Sequence, residues 1–411
     1  MRFFARLGLL LAVYAPGGVS AEDWPQWMGP NRDGLTAETG LLQAWPEGGP
    51  ERVWLFEDCG LGYAGPAIVD GKLFIMGSRD GVERLLCLDA ATGDELWAAD
   101  LGEEYENGWG DGPRGTPTID GDRIYVLAAR GALVCLSLSG EEQWRVAMQD
   151  FGGKIPVWGY SESPLIDGDQ VVVTPGKDQG AIVALDKYSG QLVWQTEEIT
   201  PVAHYSSIVR AEIHGKPQYV QLLVDQLVGV DPASGDLLWT VPWPGRTAVI
   251  PTPIVRGNQI YVTTGYGVGC MLVEVDADNH ASIVYENKLM KNHHGGVVLL
   301  GDKLYGHSDK MGWLCQDFAT GQRVWRERAA LGKGAIAYAD GRFYCLSENE
   351  GEVVLIEAST EGWTEHGRFT LEPQTELRKP KGKIWTHPVI VDGKLYLRDQ
   401  ELLFCFEVST D

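Results

Sequence analysis

The sequence predicts an all-β protein, a closed β-propeller of eight blades in which each blade is a four-stranded antiparallel sheet. Three observations predict this fold. A unit of roughly 45 residues recurs along the chain, which is typical of propeller blades. Asp-Gly pairs recur at one point of that unit, and the two ends of the chain carry complementary fragments of it.

The first half of each unit is typical of a β-hairpin. In its clearest copy, Pro66 to Phe74, apolar Ala67, Val69 and Leu73 alternate with other residues, which is the period of a half-buried strand. Asp-Gly favours a two-residue turn because the turn needs positive φ angles. Such pairs stand at 70–71, 120–121, 167–168, 340–341 and 392–393. Further copies lie near 207–220, 254 and 298, so the unit occurs eight times.

The second half of each unit is predicted to be a second hairpin that ends in tryptophan. Its clearest copy runs from Leu85 to Trp97, with a turn at Thr92-Gly93 between the third and fourth strands. Two copies diverge: one ends at Tyr285, and the other lies at 357–369. The sequence therefore predicts four short strands in every unit.

The chain ends predict how the ring closes. The last unit has three predicted strands, at about 388–391, 394–398 and 401–407, whereas Arg52 to Phe56 is a fourth strand without the other three. Pairing them removes an exposed sheet edge. We therefore expect one propeller domain over 51–411, with blade 8 formed by 384–409 plus 51–57. An N-terminal extension covers 22–50.

The first 21 residues are typical of a secretory signal peptide. Arg2 and Arg6 precede an apolar stretch from Leu7 to Tyr14, and small residues end at Ala21. We expect cleavage near Ala21 and a periplasmic or secreted, monomeric protein. No cysteine follows the cleavage point, so no lipid anchor is expected, and no later stretch has the roughly 18 apolar residues of a membrane span. The net charge of −23 argues against a nucleic-acid partner.

The cysteines follow the repeat. Cys87, Cys135, Cys315 and Cys405 share one position in the predicted third strands, where the other blades place Ala184, Gly229, Glu274 and Leu355. Equivalent positions in separate blades are too far apart for a disulfide. We expect all seven cysteines to be buried thiols that pack as small apolar groups.

The unit from Leu85 to Trp97 resembles the pyrroloquinoline quinone (PQQ) propeller repeat, whose pattern is Ala-x-Asp-x-x-Thr-Gly-x-x-x-Trp. In that family the tryptophan docks against the neighbouring blade. The resemblance covers nearly all of the predicted mature chain and implies the following docking tryptophans: Trp54, Trp97, Trp144, Trp194, Trp239 and Trp325.

The family contains two functional classes. Non-enzymatic members include the propeller lipoprotein of the outer-membrane barrel assembly machinery, and enzymatic members are quinoprotein alcohol dehydrogenases. The dehydrogenases carry adjacent cysteines beside the quinone, and this sequence has no Cys-Cys pair. The whole sequence also resembles exported PQQ-like repeat proteins that begin as Trp24 to Gly34 do here. We expect a non-catalytic scaffold that binds a protein or a small molecule. The alternative is a PQQ- and Ca²⁺-dependent alcohol or sugar dehydrogenase.

The segments that lead into the innermost strands converge on one mouth of a propeller channel, and here they are unusually polar. A concavity with convergent polar groups is the default place for a binding site. The candidate ligand-binding residues are Arg114, Tyr160, Glu162, His204, Asn292, His293, His294, Lys333, Trp385 and His387.

Three roles are predicted within this set. Arg114 and Lys333 would hold an anionic or carbonyl group, and Trp385 would stack on a ligand. Glu162 and the histidines would exchange protons, which keeps a hydrolase or lyase open as a third class. Adjacent strand residues point to opposite faces, so only one of His293 and His294 is expected to face the channel. No metal site is expected, because the candidate ligands belong to well-separated blades.

Overall fold

The computed structural model describes residues 23–177 and 179–410, so the predicted signal peptide lies outside the described residues. Within them, 32 strands form eight four-stranded antiparallel sheets. Seven sheets consist of four strands that are consecutive in sequence, and the eighth joins the last three strands to the first. The predicted eight-bladed propeller is confirmed.

The strands run from the channel outward in every blade. Blades 1 to 4 are Ala67–Val69, Lys72–Arg79, Val82–Asp89, Glu95–Glu103; Thr118–Asp120, Arg123–Leu127, Ala132–Ser137, Glu142–Ala147; Leu165–Asp167, Gln170–Val173, Val183–Asp186, Leu192–Gln195; and Val209–Ile213, Lys216–Leu222, Gln226–Val230, Leu237–Pro242. Blades 5 to 8 are Ile254–Arg256, Gln259–Thr264, Gly269–Val275, Ala281–Asn287; Val297–Leu300, Lys303–Ser308, Gly312–Asp317, Arg323–Glu327; Gly334–Ala339, Arg342–Ser347, Glu352–Glu357, Glu365–Thr370; and Val389–Val391, Lys394–Asp399, Leu402–Glu407, Arg52–Phe56. A 3₁₀ turn, Met148–Phe151, follows blade 2.

The ring closes through the two ends of the chain, as predicted. Arg52–Phe56 pairs antiparallel with Leu402–Glu407, and Trp54 lies opposite Cys405. Without this strand, the third strand of blade 8 would present an unpaired edge. The closure therefore couples the first and last elements of the propeller in one sheet.

The inner hairpins use two turn types, which corrects one detail of the sequence prediction. In blade 1, Val69 pairs with Lys72, so Asp70 and Gly71 form the turn, with φ of 49° and 71°. In blade 2, Asp120 pairs with Arg123, so the turn is Gly121-Asp122. Blade 3 is shifted in the same way. The glycine still takes the positive φ angle, but it comes first in the turn.

Each hydrophobic core lies between two neighbouring blades. One cluster joins Phe74 and Leu85 of blade 1 to Ile124 and Val134 of blade 2. All seven cysteines are buried and free, as expected. One register assignment was wrong: Leu272, and not Glu274, lies at the third-strand position of blade 5, opposite Tyr285. The predicted and observed positions are two residues apart, so both lie on the same face of the strand.

The repeat tryptophans lie against the turn of the next blade. The Trp144 indole nitrogen donates to the Lys187 carbonyl at 2.9 Å, and the indoles of Trp54, Trp194 and Trp325 make equivalent bonds to the carbonyls of Ala90, Pro232 and Ser359. A Cβ on Gly190, at φ +72°, would lie 2.8 Å from the Trp144 ring, so the turn glycine lets the indole approach. Trp97 contacts Gly140 in the same way.

Trp239 differs from the other repeat tryptophans. Its indole nitrogen donates to Gln218 within its own blade at 2.6 Å, and the Gln218 amide in turn donates to Asn279 of blade 5. The blade 5 turn, Asp276 to His280, has lost the repeat glycine, so the indole cannot bond to it directly. Gln218 therefore links the Trp239 indole to blade 5 through two hydrogen bonds.

Replacement of Trp144 by Phe is expected to lower the free energy of unfolding by about 2 kcal/mol, because the ring loses its hydrogen bond and part of its buried area. Urea denaturation measures this difference. Trp109→Phe is the control: Trp109 is 43% exposed, and its change should stay within about 0.5 kcal/mol. Equal effects of the two substitutions would contradict the docking role.

Candidate functional site

Residues 24–36 of the N-terminal extension occupy the propeller channel, and we call this segment the plug. Trp24 pairs with Ile68 on the innermost strand of blade 1 through two backbone hydrogen bonds of 2.8 Å. At the other end, Thr36 donates to the Tyr338 carbonyl of blade 7 at 3.1 Å. The plug therefore adds backbone pairing at two inner strand edges that the blades leave open.

The plug reaches every blade or the segment that leads into it. The contacting residues, in blade order, are Ile68, Ile119, Ser163, Ile208, Thr252, Val298, Tyr338 and His387. Its two ends lie at the side of the ring that carries the inner hairpin turns, since Asp23 accepts from the Asp70 amide and Glu38 from the Gly393 amide. The segment thus enters and leaves the channel on one side.

Arg32 anchors the plug from inside the channel. Its guanidinium is 6% exposed and donates to the main-chain carbonyls of Ser163, Pro164 and Ile208 and to the Gln26 side chain. Burial lowers the pKa of Arg32 to about 10, and the nearby Glu162 partly offsets this effect. The arginine ties blades 3 and 4 to the extension.

Trp27 forms the floor of a cavity at the opposite, mouth side of the channel. Its indole nitrogen donates to Thr252 at 3.0 Å, and its ring lies 4.7 Å from the His387 ring. Above it lies a cavity of about 370 Å³, which we call the funnel, and below it lies a second cavity of about 250 Å³. Trp27 lines both cavities, so the plug lies between two compartments of the channel.

The funnel wall is predominantly aromatic. Its rings, besides the Trp27 floor and the histidines, are Tyr63, Trp109, Trp158, Tyr205, Tyr266 and Trp385. Sequence reasoning found only Trp385 among them. Trp109 and Trp158 each precede a glycine in a segment leading into an innermost strand, and this pairing is the signal that could have identified them.

Six of the ten predicted ligand-binding residues line the funnel: Arg114, His293, His294, Lys333, Trp385 and His387. The His294 ring stacks on Trp385 at 4.5 Å with an interplanar angle of 23°. The His387 Nε2 donates to the His294 carbonyl at 2.7 Å. The segments of blades 6 and 8 are therefore in direct contact at the mouth.

Both His293 and His294 face the funnel, so the expectation that only one would do so was wrong. The pair lies in the loop before Val297–Leu300 and not in the strand, so the two-face alternation of a strand does not apply. Their ring centroids are 3.8 Å apart.

Lys333 is the centre of a charged network on the funnel wall. Its ammonium donates to His293 Nδ1 and lies 3.4 Å from Asp309 and 3.8 Å from Glu348. Because Nδ1 accepts, Nε2 carries the His293 proton and donates to the Tyr266 hydroxyl at 2.5 Å. Burial, together with the charge of Lys333, lowers the pKa of His293 to about 3.

Arg114 lines the funnel, and neighbouring carbonyl groups and aromatic rings hold its guanidinium in place. Its guanidinium donates to the carbonyls of Gly110 and Gly112 and lies over the rings of Tyr63 and Tyr105, at 5.5 and 5.2 Å. Burial lowers the pKa of Arg114, while the neighbouring Glu83 opposes this effect.

The other four predicted ligand-binding residues lie outside the funnel lining. Tyr160 donates to the Pro175 carbonyl at 3.0 Å, Asn292 to the carbonyls of Gly296 and His307, and His204 Nδ1 accepts from the Val249 amide. Glu162 is 2% exposed and accepts from the Thr174 amide and hydroxyl. The polar atoms of these four side chains therefore form hydrogen bonds to backbone groups of the segments around the funnel.

The funnel does not fit PQQ with calcium. Its one lining carboxylate, Glu348, is engaged by Lys333 and by the Trp385 indole at 3.3 Å. Among the described residues, the one group of three potential metal ligands is Asp276, Asp278 and His280, on the exposed turn of blade 5. A calcium ion takes six to eight oxygen ligands, and the funnel lining does not supply such a set.

A family model described as outer membrane protein assembly factor BamB matches residues 47–145 and 81–327, which together cover more than half of the chain. The chain belongs to this family. The outer membrane protein assembly factor BamB of Burkholderia pseudomallei is 23% identical over 49% of this chain and 62% of its own length. The protein of that name from Alkalilimnicola ehrlichii is 26% identical over 41% of this chain and 43% of its own. The match thus spans about half the length of these relatives.

Solved structures share the fold. BamB from Moraxella catarrhalis has a TM-score of 0.63 at 17% identity and covers 87% of this chain and 99% of its own. Quinohemoprotein alcohol dehydrogenase from Comamonas testosteroni has a TM-score of 0.64 at 12% identity, covering 93% and 80%. At these identities the likeness extends to the propeller architecture alone. No helix among the described residues is long and apolar enough to cross a membrane.

Proposed function

We propose that this protein is an exported, monomeric binding propeller without catalysis of its own, which works in the periplasm and holds a ligand or a segment of a partner protein in the funnel. The observation that carries the proposal is the Trp27 floor. By placing Trp27 beneath an aromatic wall, the plug bounds a concave site of about 370 Å³, within the range of ligand-binding pockets.

The state of the histidines supports binding over acid–base catalysis. Burial lowers the pKa of His293 to about 3 and that of His387 to about 4. An efficient proton donor or acceptor has a pKa near the working pH, so these imidazoles are poorly suited to general acid–base catalysis near neutral pH. Burial also lowers the pKa of His204 to about 4 and that of His294 well below its ordinary value, and Glu162 is enclosed beside Thr174 and lies outside the funnel lining.

The curated relatives support the scaffold role, because they are named as outer membrane protein assembly factors. We extend that role to this chain as a binding partner of other envelope components. The funnel rim suits docking, since Trp109 is 43% and Tyr266 39% exposed. Tryptophan and tyrosine are enriched among the residues that carry most of the binding energy of protein interfaces.

Native mass spectrometry of the exported protein tests the binding function. We expect a co-purified species that adds mass to the wild type and is lost from Trp385→Ala, because this substitution removes a wall ring of the funnel. Tyr188→Ala is the matched control, since Tyr188 is 51% exposed on the outer side of blade 3. A species retained by Trp385→Ala and lost from Tyr188→Ala would place binding elsewhere.

A dye-reduction assay separates this proposal from the dehydrogenase alternative. The purified protein is mixed with PQQ, Ca²⁺ and a panel of alcohols and sugars. We expect reduction at the rate of the protein-free mixture, because the funnel does not offer calcium a set of oxygen ligands. Reduction at an enzyme-like rate, roughly 1 s⁻¹ or faster, would overturn the non-catalytic proposal.

A further inference from the structure

A basic loop borders the funnel of this strongly acidic protein. Residues 378–383 carry four cations within six residues, whereas the whole chain has a net charge of −23. Arg378 pairs with Asp399, and Lys379 lies 2.6 Å from Asp111. These two pairs fasten the loop to its neighbours and leave the other two lysines for the funnel rim.

Neither Lys381 nor Lys383 forms a salt bridge within 4.0 Å among the described residues, and the charge of Lys383 acts at longer range on Glu348. The Lys381 ammonium lies 5.5 Å from the centre of the Trp109 ring, and Lys383 lines the funnel. The lining carries three positive side chains, those of Arg114, Lys333 and Lys383, and one negative side chain, that of Glu348. Positive side chains therefore outnumber negative ones in the lining, and this excess favours negatively charged ligands, with Asp309, 3.4 Å from Lys333, offsetting part of it.

The arrangement of the rings disfavours a flat ligand. Tyr63 and Trp385 are inclined by 44°, Trp158 and Tyr205 by 56°, and Tyr266 and His293 by 77°. The one nearly parallel pair, His294 and Trp385, is already in contact at 4.5 Å. These pairs therefore offer no parallel slot for an aromatic plane. The electron-rich face of an aromatic ring attracts C–H groups, so a puckered ring can pack on one such face without a parallel partner.

The network around Lys333 suits hydroxyl groups. The carboxylate of Glu348 accepts hydrogen bonds, and the ammonium of Lys333 donates them, 3.8 Å away. A sugar hydroxyl both donates and accepts, so adjacent hydroxyls can bond to such a pair together. A ligand that combines hydroxyls, a puckered ring and a negative charge is an acidic saccharide.

We propose that the funnel binds an acidic saccharide, with its ring against Trp385, its hydroxyls on Lys333 and Glu348, and its carboxylate directed to Lys383. This assignment rests on the proposed binding function and specifies its ligand class.

Isothermal titration of the full mature protein tests the ligand class with three probes. These are a galacturonate disaccharide, a neutral disaccharide of the same size, and a planar naphthalene dicarboxylate. We expect the acidic disaccharide to bind about tenfold more tightly than the neutral one, since a charge-assisted bond of about 1.4 kcal/mol gives that ratio. The planar dicarboxylate should bind most weakly, because the rings offer it no slot.

Two variants locate the interactions. Lys383→Gln should remove most of the preference for the acidic disaccharide by weakening its binding more than that of the neutral one, whereas Trp385→Ala should weaken both. Lys216→Gln, which removes an exposed lysine at the inner hairpin of blade 4, is the control and should retain the preference.

Three results would overturn the inference: equal affinity for the acidic and neutral disaccharides, tighter binding of the planar dicarboxylate, or no measurable heat with either saccharide. Each leaves the proposed binding function intact, since that function is tested separately by native mass spectrometry. Turnover in the dye assay, by contrast, would overturn the proposed function itself.

Discussion

Replacement of Arg32 by Met is expected to lower the free energy of unfolding by about 4 kcal/mol, within the range for breaking a buried charged network. The substitution leaves the carbonyls of Ser163, Pro164 and Ile208 without their donor while they stay buried. Urea denaturation, followed by tryptophan fluorescence, measures the loss. The variant should also bind funnel ligands more weakly, because the plug positions Trp27.

Two further variants make the Arg32 result interpretable. Arg32→Lys keeps the charge but has no planar fork, so it should recover only part of the stability. Arg323→Met removes an exposed arginine from the outer strand of blade 6 and should change stability by less than about 0.5 kcal/mol. Wild-type stability of Arg32→Met would show that the guanidinium is not seated in the channel.

Glu162→Gln is expected to flatten the pH dependence of stability between about pH 4.5 and 7. Burial raises the pKa of Glu162 to about 7 from an ordinary 4.5, and hydrogen bonds from Thr174 and the charge of Arg32 only partly oppose it. The folded state thus holds the proton more tightly than the unfolded state. Stability from this group is present below about pH 4.5 and is lost as the pH rises towards 7, by about 3 kcal/mol in all.

Thermal or urea unfolding of the wild type and Glu162→Gln at pH 5 and pH 8 measures this linkage. The difference in unfolding free energy between variant and wild type should move by about 2.5 kcal/mol in favour of the variant from the lower to the higher pH. Glu141→Gln, at an exposed turn of blade 2, reports the effect of losing one surface charge. A difference that is independent of pH would contradict the raised pKa.

The blades and their closure could be predicted because each depends on local chemistry that repeats. Asp70-Gly71 sets a hairpin, Trp144 sets an interface with the next blade, and the lone strand at Arg52–Phe56 complements the incomplete last unit. The register error arose where the repeat has diverged. In blade 5 the turn at Asp276 lacks the repeat glycine, and the register was misplaced from Leu272 to Glu274.

The plug could not be predicted from the sequence. Its residues show no strand or helix period, and Arg32 bonds mainly to backbone carbonyls of blades 3 and 4, which have no signature in the side-chain pattern. The same reason explains why Glu162 was assigned to the mouth: a polar residue in a converging segment can serve either a ligand or a backbone amide. Only the folded structure distinguishes Lys333, which lines the funnel, from Glu162, which does not.

Hydrogen exchange of the mature protein, followed by mass spectrometry of peptides, tests the seating of residues 24–36 most directly. The amides of Trp24, Gly34 and Thr36 donate to backbone carbonyls inside the channel. We predict that peptides from this segment exchange as slowly as those from the innermost strand Gly334–Ala339. Exchange within seconds, as for an unpaired tail, would contradict the plug and with it the closed floor of the binding site.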